Sequence, residues 1–451
     1  MLGRLPTLGS VLALVVVALL VARGSWNEAL GMVLVGLVLF ASLAAPQHLG
    51  LYAMLAFMAA GMPVVNAGGM LNQYRWAMLI VMPLGLLLRN SMEVSGARWH
   101  PVHFSLALFV FDAALSSSYS VNGLLTLLKA GTFACLLIGA LLYGRLESRP
   151  GSEQSCKLLD QLYWCAALVG AGCVLAVLHI LPAGRLYFQG PFGNPNSLGA
   201  FVPLVAPAVL LKLSRSPKQS PLINAANVLL AAALLVFLIM SRSRGGMLAT
   251  FFACGWWLYF SSRKVFQTFV VFSLLTATIM VAYFPRYVES MNQVYVQKGS
   301  AYILQSRAKL LEDSWDAAME NPFFGVGYGT AKGYSEGWQF GFESASAGRE
   351  KMNSFLASVE EVGLVGTAFL FFPIAWAVIV STRRLLLIRK FDPSAGEFGT
   401  ILTLSACLVG GLADSMAEAW LSSPGFFSAI MFWLIFGILS ARLTVRFRPR
   451  R

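Results

Sequence analysis

Charge is what this chain has least of. Asp, Glu, Lys and Arg make up 12% of its 451 residues, against 57% hydrophobic residues. A soluble domain carries about twice that charged fraction, so the deficit excludes an ordinary soluble fold. Histidine is scarce as well. His48, His100, His103 and His179 are scattered, and none falls in the one long polar stretch. The six cysteines (Cys135, Cys156, Cys165, Cys173, Cys254 and Cys407) avoid every segment read below as an outward loop. They give neither a disulfide framework nor a metal-type spacing, and no metal or other cofactor is expected.

What is there is apolar sequence in span-sized pieces. A membrane span needs about 20 mostly apolar residues. About fourteen candidates stand out: 8–22, 29–45, 50–66, 76–88, 101–118, 121–143, 161–182, 198–211, 223–240, 245–260, 265–284, 356–381, 399–415 and 425–441. Leu8–Ala22 follows a single Arg4 and lacks a good cleavage-site pattern, so it reads as a first transmembrane helix and not as a signal peptide. The expected fold is an all-α polytopic membrane protein with about 12–14 transmembrane helices and one large outward loop carrying short helices.

Net charge is +13 and the isoelectric point about 9.6, which at first suggests nucleic acid. The placement of the cations excludes it, because they sit in short loops between spans, as membrane topology produces. With the N-terminus inside, one side collects Arg89, Arg98, Arg145, Arg149, Lys157, Lys212, Arg215, Lys218, Arg263, Lys264, Arg383, Arg384, Arg389, Lys390 and the Arg442–Arg451 tail. The short loops of the other side hold only Arg23, Arg75, Arg185, Arg242 and Arg244. Both termini are then cytoplasmic and the long polar loop faces outward. The chain divides into residues 1–182 (N-terminal helices), 183–284 (helices with two Arg-bearing outward loops), 285–355 (the large loop) and 356–451 (C-terminal helices and basic tail).

Arg185, Arg242 and Arg244 lie where the topology rule disfavours cations. Lipid-headgroup contact or a structural ion pair is the plain reading. Phosphate binding by guanidinium forks is the functional one. Arg185 opens a loop dense in Gly, Pro and Asn up to Gly199, a composition that fixes a tight turn. Asn196 or Ser197 is expected to cap the following helix and to leave its amide dipoles aimed outward. Asp112 and Lys129 are intramembrane charges whose depths differ by only about 3 Å. A structural ion pair across a two-helix hairpin is the simpler reading, although intramembrane charge also points to function.

The long loop runs from about Pro285 to Lys351. Apolar residues within Ala301–Met319 suit an amphipathic helix lying on the membrane or on the bundle. Glu312, Asp313, Asp316 and Glu320 read as its solvated face. Next come Asn321-Pro322-Phe323-Phe324-Gly325-Val326-Gly327-Tyr328-Gly329 and then Arg349-Glu350-Lys351-Met352-Asn353-Ser354-Phe355-Leu356. The glycine-rich run follows Asn-Pro and lacks the strand-to-helix setting of a nucleotide loop.

These pieces resemble the O-antigen ligase and Wzy polymerase superfamily of bacterial membrane glycosyltransferases. The resemblance rests on Gly190–Gly199 with its Asn-Pro-Asn, Ser241-Arg242-Ser243-Arg244-Gly245-Gly246, Glu320–Gly329, Asn353 through Glu361, Gly363 and Gly366, and a late Asp414. They run in order from Arg185 to about Leu439, and the N-terminal third matches only in topology. The resemblance implies a GT-C-like helical fold in the bacterial inner membrane, with a periplasmic site. It implies transfer of a glycan from undecaprenyl pyrophosphate to an acceptor hydroxyl, in lipopolysaccharide or other cell-surface polysaccharide biosynthesis. Its partners would be the lipid-linked donor, a glycan or lipid acceptor and membrane lipids, with no nucleic acid, nucleotide sugar or metal. Carried over residue by residue, Arg185, Arg242 and Arg244 would bind the pyrophosphate, and the helix end at Asn196 is a further pyrophosphate-binding candidate because such an end can hold an anion.

One departure matters. Ligases of this family commonly have His-Asn where this chain has Met352-Asn353, and methionine cannot act as a base. Glu350 is then the candidate proton acceptor, with Arg349 or Lys351 on the phosphate and Asn353 beside them, and Glu361 is the second candidate. The departure leaves ligase and polymerase both open. The alternatives are a lipid-linked glycan transporter or flippase, and a catalytically inactive subunit of an exopolysaccharide assembly complex. No convincing internal repeat is visible, and the polar groups gather at one face instead of the middle, which favours the enzyme over transport.

Overall fold

The computed structural model describes residues 26–45, 48–62, 71–91, 100–148, 156–180, 188–215, 220–283, 305–330, 351–391 and 396–444. The described residues fold into helices and turns without a strand. In order the helices are α1 (Trp26–Ala44), α2 (Leu49–Gly61), α3 (Leu71–Ser91), α4 (Pro101–Leu115), α5 (Gly123–Glu147), α6 (Lys157–Val177), α7 (Pro195–Ser214), α8 (Pro221–Ser241), α9 (Arg244–Ser261), α10 (Arg263–Tyr283), α11 (Gln305–Glu320), α12 (Ser354–Phe391), α13 (Gly396–Ser415) and α14 (Phe427–Thr444). Eight of these segments are long and apolar enough to cross a membrane, while α1 and α2 are shorter apolar helices. The chain is a polytopic membrane protein, all-helical in its described residues. Each expected span within the described residues has its helix; the first, 8–22, lies outside them.

The helix starts follow capping chemistry. Asn122 accepts from the Leu125 amide, Ser220 from Ile223 and Ser243 from Gly246, and proline opens α4, α7 and α8. Proline suits that position because its missing N–H has no helical partner there. α14 is apolar on all sides from Ala429 to Leu439, and correspondingly buried on all sides. α5 and α13 pack against it, α4 packs on α12, and α7, α9 and α13 form a second group.

Successive spans alternate in direction, so one end of the bundle carries the turns 188–194, 242–243 and 416–426 and the start of α12. Contacts across the chain hold this end together. Arg75 Nη1 donates to Gly425 O at 2.9 Å, Tyr119 Oη to Phe324 O at 2.7 Å, and Tyr328 Oη to Ser422 O. The opposite end holds Arg89, Arg145, Lys157, Lys212, Arg215, Arg263, Lys264, Arg383, Arg384, Arg389, Lys390 and Arg442. Some of these are tied in place, as in Lys212–Asp160 at 2.6 Å and Arg384–Glu397 at 2.7 Å.

α12 is longer than its expected span and is broken. Gly363 has φ 66° and ψ −173°, a conformation essentially closed to other residues. The break frees backbone groups, and residues 322–327 take them up. Val326 N donates to Glu360 O and Gly327 N to Glu361 O, both at 2.9 Å. Leu364 N donates to Pro322 O at 2.7 Å and Val365 N to Phe323 O at 3.4 Å. A Cβ on residue 363 would run into the Phe323 carbonyl and the Phe324 nitrogen.

Two expectations change here. Asp112 and Lys129 form no ion pair: Lys129 Nζ donates to Gly329 O at 2.6 Å, and Asp112 Oδ2 is buried without a partner beside Gly366. Helical spacing fixed their depth but not the direction each faces around its helix. The cap of α7 is Asn194, whose Oδ1 accepts from the Asn196 amide at 2.9 Å; Asn196 itself sits inside the first turn, after Pro195.

Gly363→Ala should cost about 1–3 kcal/mol from backbone strain alone, plus whatever moving the 322–327 turn adds. Gly131→Ala on α5, with open space around its Cβ position, should be neutral or slightly stabilising. Thermal unfolding of the two variants in the same detergent checks the contrast.

Candidate functional site

Two groups of polar residues share the end of the bundle that carries these turns. The first is built where α7, α8, α9 and α13 meet. Arg242 ends α8 in a left-handed conformation, φ 55°, and Arg244 opens α9 on the other side of Ser243. Ser241 Oγ accepts from Ser243 N at 3.3 Å and Ser243 Oγ from Gly246 N at 3.4 Å, which fixes the turn between the arginines. Both arginines are half-buried. α7 crosses α9 with Gly199 against Gly246, a contact that any side chain on either residue would block.

The 414–420 turn closes this group. A Cβ at Gly245 would lie 2.7 Å from Ala417 Cβ and 3.9 Å from Asp414 Oδ1, so the start of α9 abuts the end of α13. Asp414 is buried and accepts from Trp420 Nε1 at 2.8 Å. Asn196 Nδ2 donates to Glu418 Oε1 at 2.8 Å. Asn353 Nδ2 donates to Met416 O at 2.8 Å, while its Oδ1 accepts from Leu356 N at 3.0 Å and so caps α12. Ser354 Oγ donates to Glu418 O at 3.1 Å and accepts from Leu421 N at 3.2 Å. Asn196, Arg244 and Asn353, far apart in sequence, are thus gathered around one turn.

The second group lies along the first segment of α12, with Glu361 about 10 Å beyond Ser354 at about 1.5 Å per residue. Glu361 Oε1 accepts from Lys351 Nζ at 2.8 Å and Oε2 from Gly329 N at 2.9 Å. Lys351 Nζ also donates to Thr330 O at 2.6 Å and lies 3.7 Å from Glu360 Oε1. Glu360 is fully buried, and Glu361 nearly so at 9% exposure. With both oxygens engaged and little access, Glu361 serves as a clasp joining the broken helix to the 321–330 turn. It is poorly placed to take a proton from a large acceptor. Lys351 is likewise committed, with three acceptor groups around one ammonium.

Tyr328 was not singled out by sequence reasoning, and it pins this turn to the core. It is 1% exposed, its amide donates to Ser116 Oγ at 2.9 Å, and its ring packs on Phe109 and Phe133. Burial pushes its phenol well above the usual tyrosine range. The only sequence signal was an aromatic flanked by Gly327 and Gly329. Arg185, Arg349 and Glu350 lie outside the described residues.

The O-antigen ligase family model matches residues 229–371. The match supports the superfamily resemblance and, with it, an O-antigen ligase or polymerase type of activity in polysaccharide biosynthesis. It takes in Arg242, Arg244, the 321–330 turn, Lys351, Asn353 and the broken part of α12, and stops short of Asn196, Lys129, Asp414 and Glu418. It covers roughly a third of the chain. No curated protein matches the chain.

Removing one partner of a buried ion pair costs about 3–5 kcal/mol, because the other charge stays behind. Lys351→Met and Glu361→Gln should each destabilise the protein on that scale. The double variant should lie nearer to either single variant than to their sum. Denaturant or thermal unfolding of all four proteins closes the cycle, and strict additivity would rule out the clasp.

Proposed function

We propose that the protein transfers a glycan from undecaprenyl pyrophosphate to an acceptor hydroxyl at the outer, periplasmic face of a bacterial inner membrane. The observation that carries this reading is the coincidence of the family match with the Arg242–Arg244 turn and the 321–363 assembly, at one end of the bundle. The sidedness draws on charge. The cations at the opposite end of the bundle make that end cytoplasmic by the positive-inside rule, which leaves the site outside.

In this reaction the bond between the sugar's anomeric carbon and the phosphate oxygen breaks, and a bond from that carbon to the acceptor oxygen forms. The pyrophosphate departs with its negative charge, and the acceptor's proton passes to a base. Arg242 and Arg244, joined by Arg185, neutralise the departing diphosphate; such electrostatic stabilisation is often the largest catalytic contribution. Asn196 orients the site from the first turn of α7, through Glu418. Glu350 takes the proton in this reading, a contribution worth about 10²–10⁴-fold. Lys351 and Glu361 hold the site's shape, and Asn353 fixes the start of α12.

A broken helix is also a feature of secondary transporters, where it exposes backbone groups to a substrate. Here residues 322–327 already occupy the exposed carbonyls and amides. That occupancy, together with the polar groups at one end, favours transfer over transport.

Arg242→Ala and Arg244→Ala should each lower transfer by about 10²–10³-fold with normal expression. The assay is purified protein with undecaprenyl-pyrophosphate oligosaccharide and acceptor, read on a product gel. A ladder marks a polymerase, a single shift a ligase, and wild-type product from both variants removes the phosphate clamp. In the same assay Glu350→Gln should slow transfer far more than Met352→Ala. Equal effects would take the base role from Glu350.

A further inference from the structure

α11 presents three kinds of surface. Ser314, Ala317 and Ala318 are buried, and the helix packs on α12. Leu311, Trp315 and Met319, spaced i, i+4, i+8, span about 80° of arc and are exposed. Glu312, Asp316 and Glu320 follow on the next arc and are exposed as well. A helix in water has no use for an apolar flank of its own between a packed face and an acidic one. A helix lying in a membrane interface does.

The apolar flank does not end with α11. Phe323 and Phe324 follow at 62% and 59% exposure, with their backbone fixed to the break in α12. Tyr119, 46% exposed, donates to Phe324 O from the end of the α4 span. Below it, Phe111 and Leu115 on α4 and Leu364 and Phe372 on α12 are exposed on membrane-spanning segments. α4 and α12 pack together, with Ser105 Oγ donating to Phe369 O at 2.9 Å. The apolar surface of the spans therefore rises onto the turn and α11.

We propose that the α11 flank, Phe323, Phe324 and Tyr119 form an interfacial anchor. It seats the Asn321–Thr330 turn at the boundary between headgroups and acyl chains of the lipid bilayer. Continuity with surface that faces lipid selects the bilayer as the occupant over a second copy of the chain. Tyrosine and tryptophan suit that depth, where one end of the ring is apolar and the other wet. The acidic arc turns to water, so binding draws on apolar burial and not on attraction to anionic headgroups. The anchor holds a rigid turn at the level where any lipid-borne substrate presents its polar head. The inference stands on membrane geometry and is independent of the glycan-transfer reading.

The test uses full-length protein in phosphatidylcholine nanodiscs, with Trp315→Cys, Phe324→Cys or Asp316→Cys carrying an environment-sensitive fluorophore. Signal from the labelled parent, which retains the native cysteines, is subtracted. All three positions are exposed, so labelling removes no core contact. Labels at 315 and 324 should be quenched by phosphatidylcholine spin-labelled near the headgroup. They should be at least about threefold less sensitive to aqueous iodide than the label at 316. Iodide quenching at 315 and 324 equal to that at 316 would overturn the anchor. Protection of 315 and 324 from both quenchers would overturn it too, by showing protein in the place of lipid.

Discussion

The fold at the site depends on one gap in one helix. At Gly363 the backbone leaves the helical path, and two carbonyls and two amides lose their partners within α12. A buried backbone group without a partner costs about 1–3 kcal/mol, so such a break survives only where something fills it. Residues 322–327 fill it, and every consequence follows from that. The turn cannot drift, because four backbone hydrogen bonds hold it to α12 and Tyr328 holds it to the core. α11 precedes it and is carried onto the flank of α12. Phe323 and Phe324 are forced outward, because their own backbone lies against Gly363.

The same gap organises charge. Lys129 enters from α5 to reach Gly329 O, Lys351 reaches Thr330 O, and Glu361 accepts from both Gly329 and Lys351. These contacts reinforce the turn from below with groups that an apolar interior would normally exclude. Two lysines and two glutamates balance in formal charge, which limits the desolvation cost of collecting them. The arrangement trades chemical freedom for rigidity. Glu361 would be an available base in an open site, but here it is spoken for by the structure it supports.

Much of the bundle was legible because a membrane span is a compositional fact. Apolar runs between Gly, Pro, Asn and charge marked the helices, and Lys and Arg marked which ends belong together. What was not legible is long-range or azimuthal. Spacing along the helices puts Asp112 and Lys129 at nearly matching depths, yet Lys129 faces a turn two hundred residues away in sequence. Nothing local to Gly363 announces a break, since its cause is the distant Pro322–Gly327 backbone. The cap of α7 was the one miss that local rules could have prevented. Pro195 belongs at the first helical position, which makes Asn194 the cap. Tyr328 is core within an otherwise polar stretch, and one aromatic between two glycines does not announce that.

The electrostatics of the helix-end group set a condition on any anion it holds. Arg242 and Arg244 flank one turn, and Asp414 and Glu418 belong to the turn packed against Gly245. Counted formally, the two cations meet two carboxylates, and the neighbouring lysine–glutamate group is already balanced. Counted that way, the group offers an arriving anion little surplus positive charge. In the proposed reaction the surplus has to come from elsewhere in the chain, which is the part given to Arg185. On the proposed reading, the two arginines beside Ser243 are needed but not sufficient, and a third cation completes the charge a diphosphate requires.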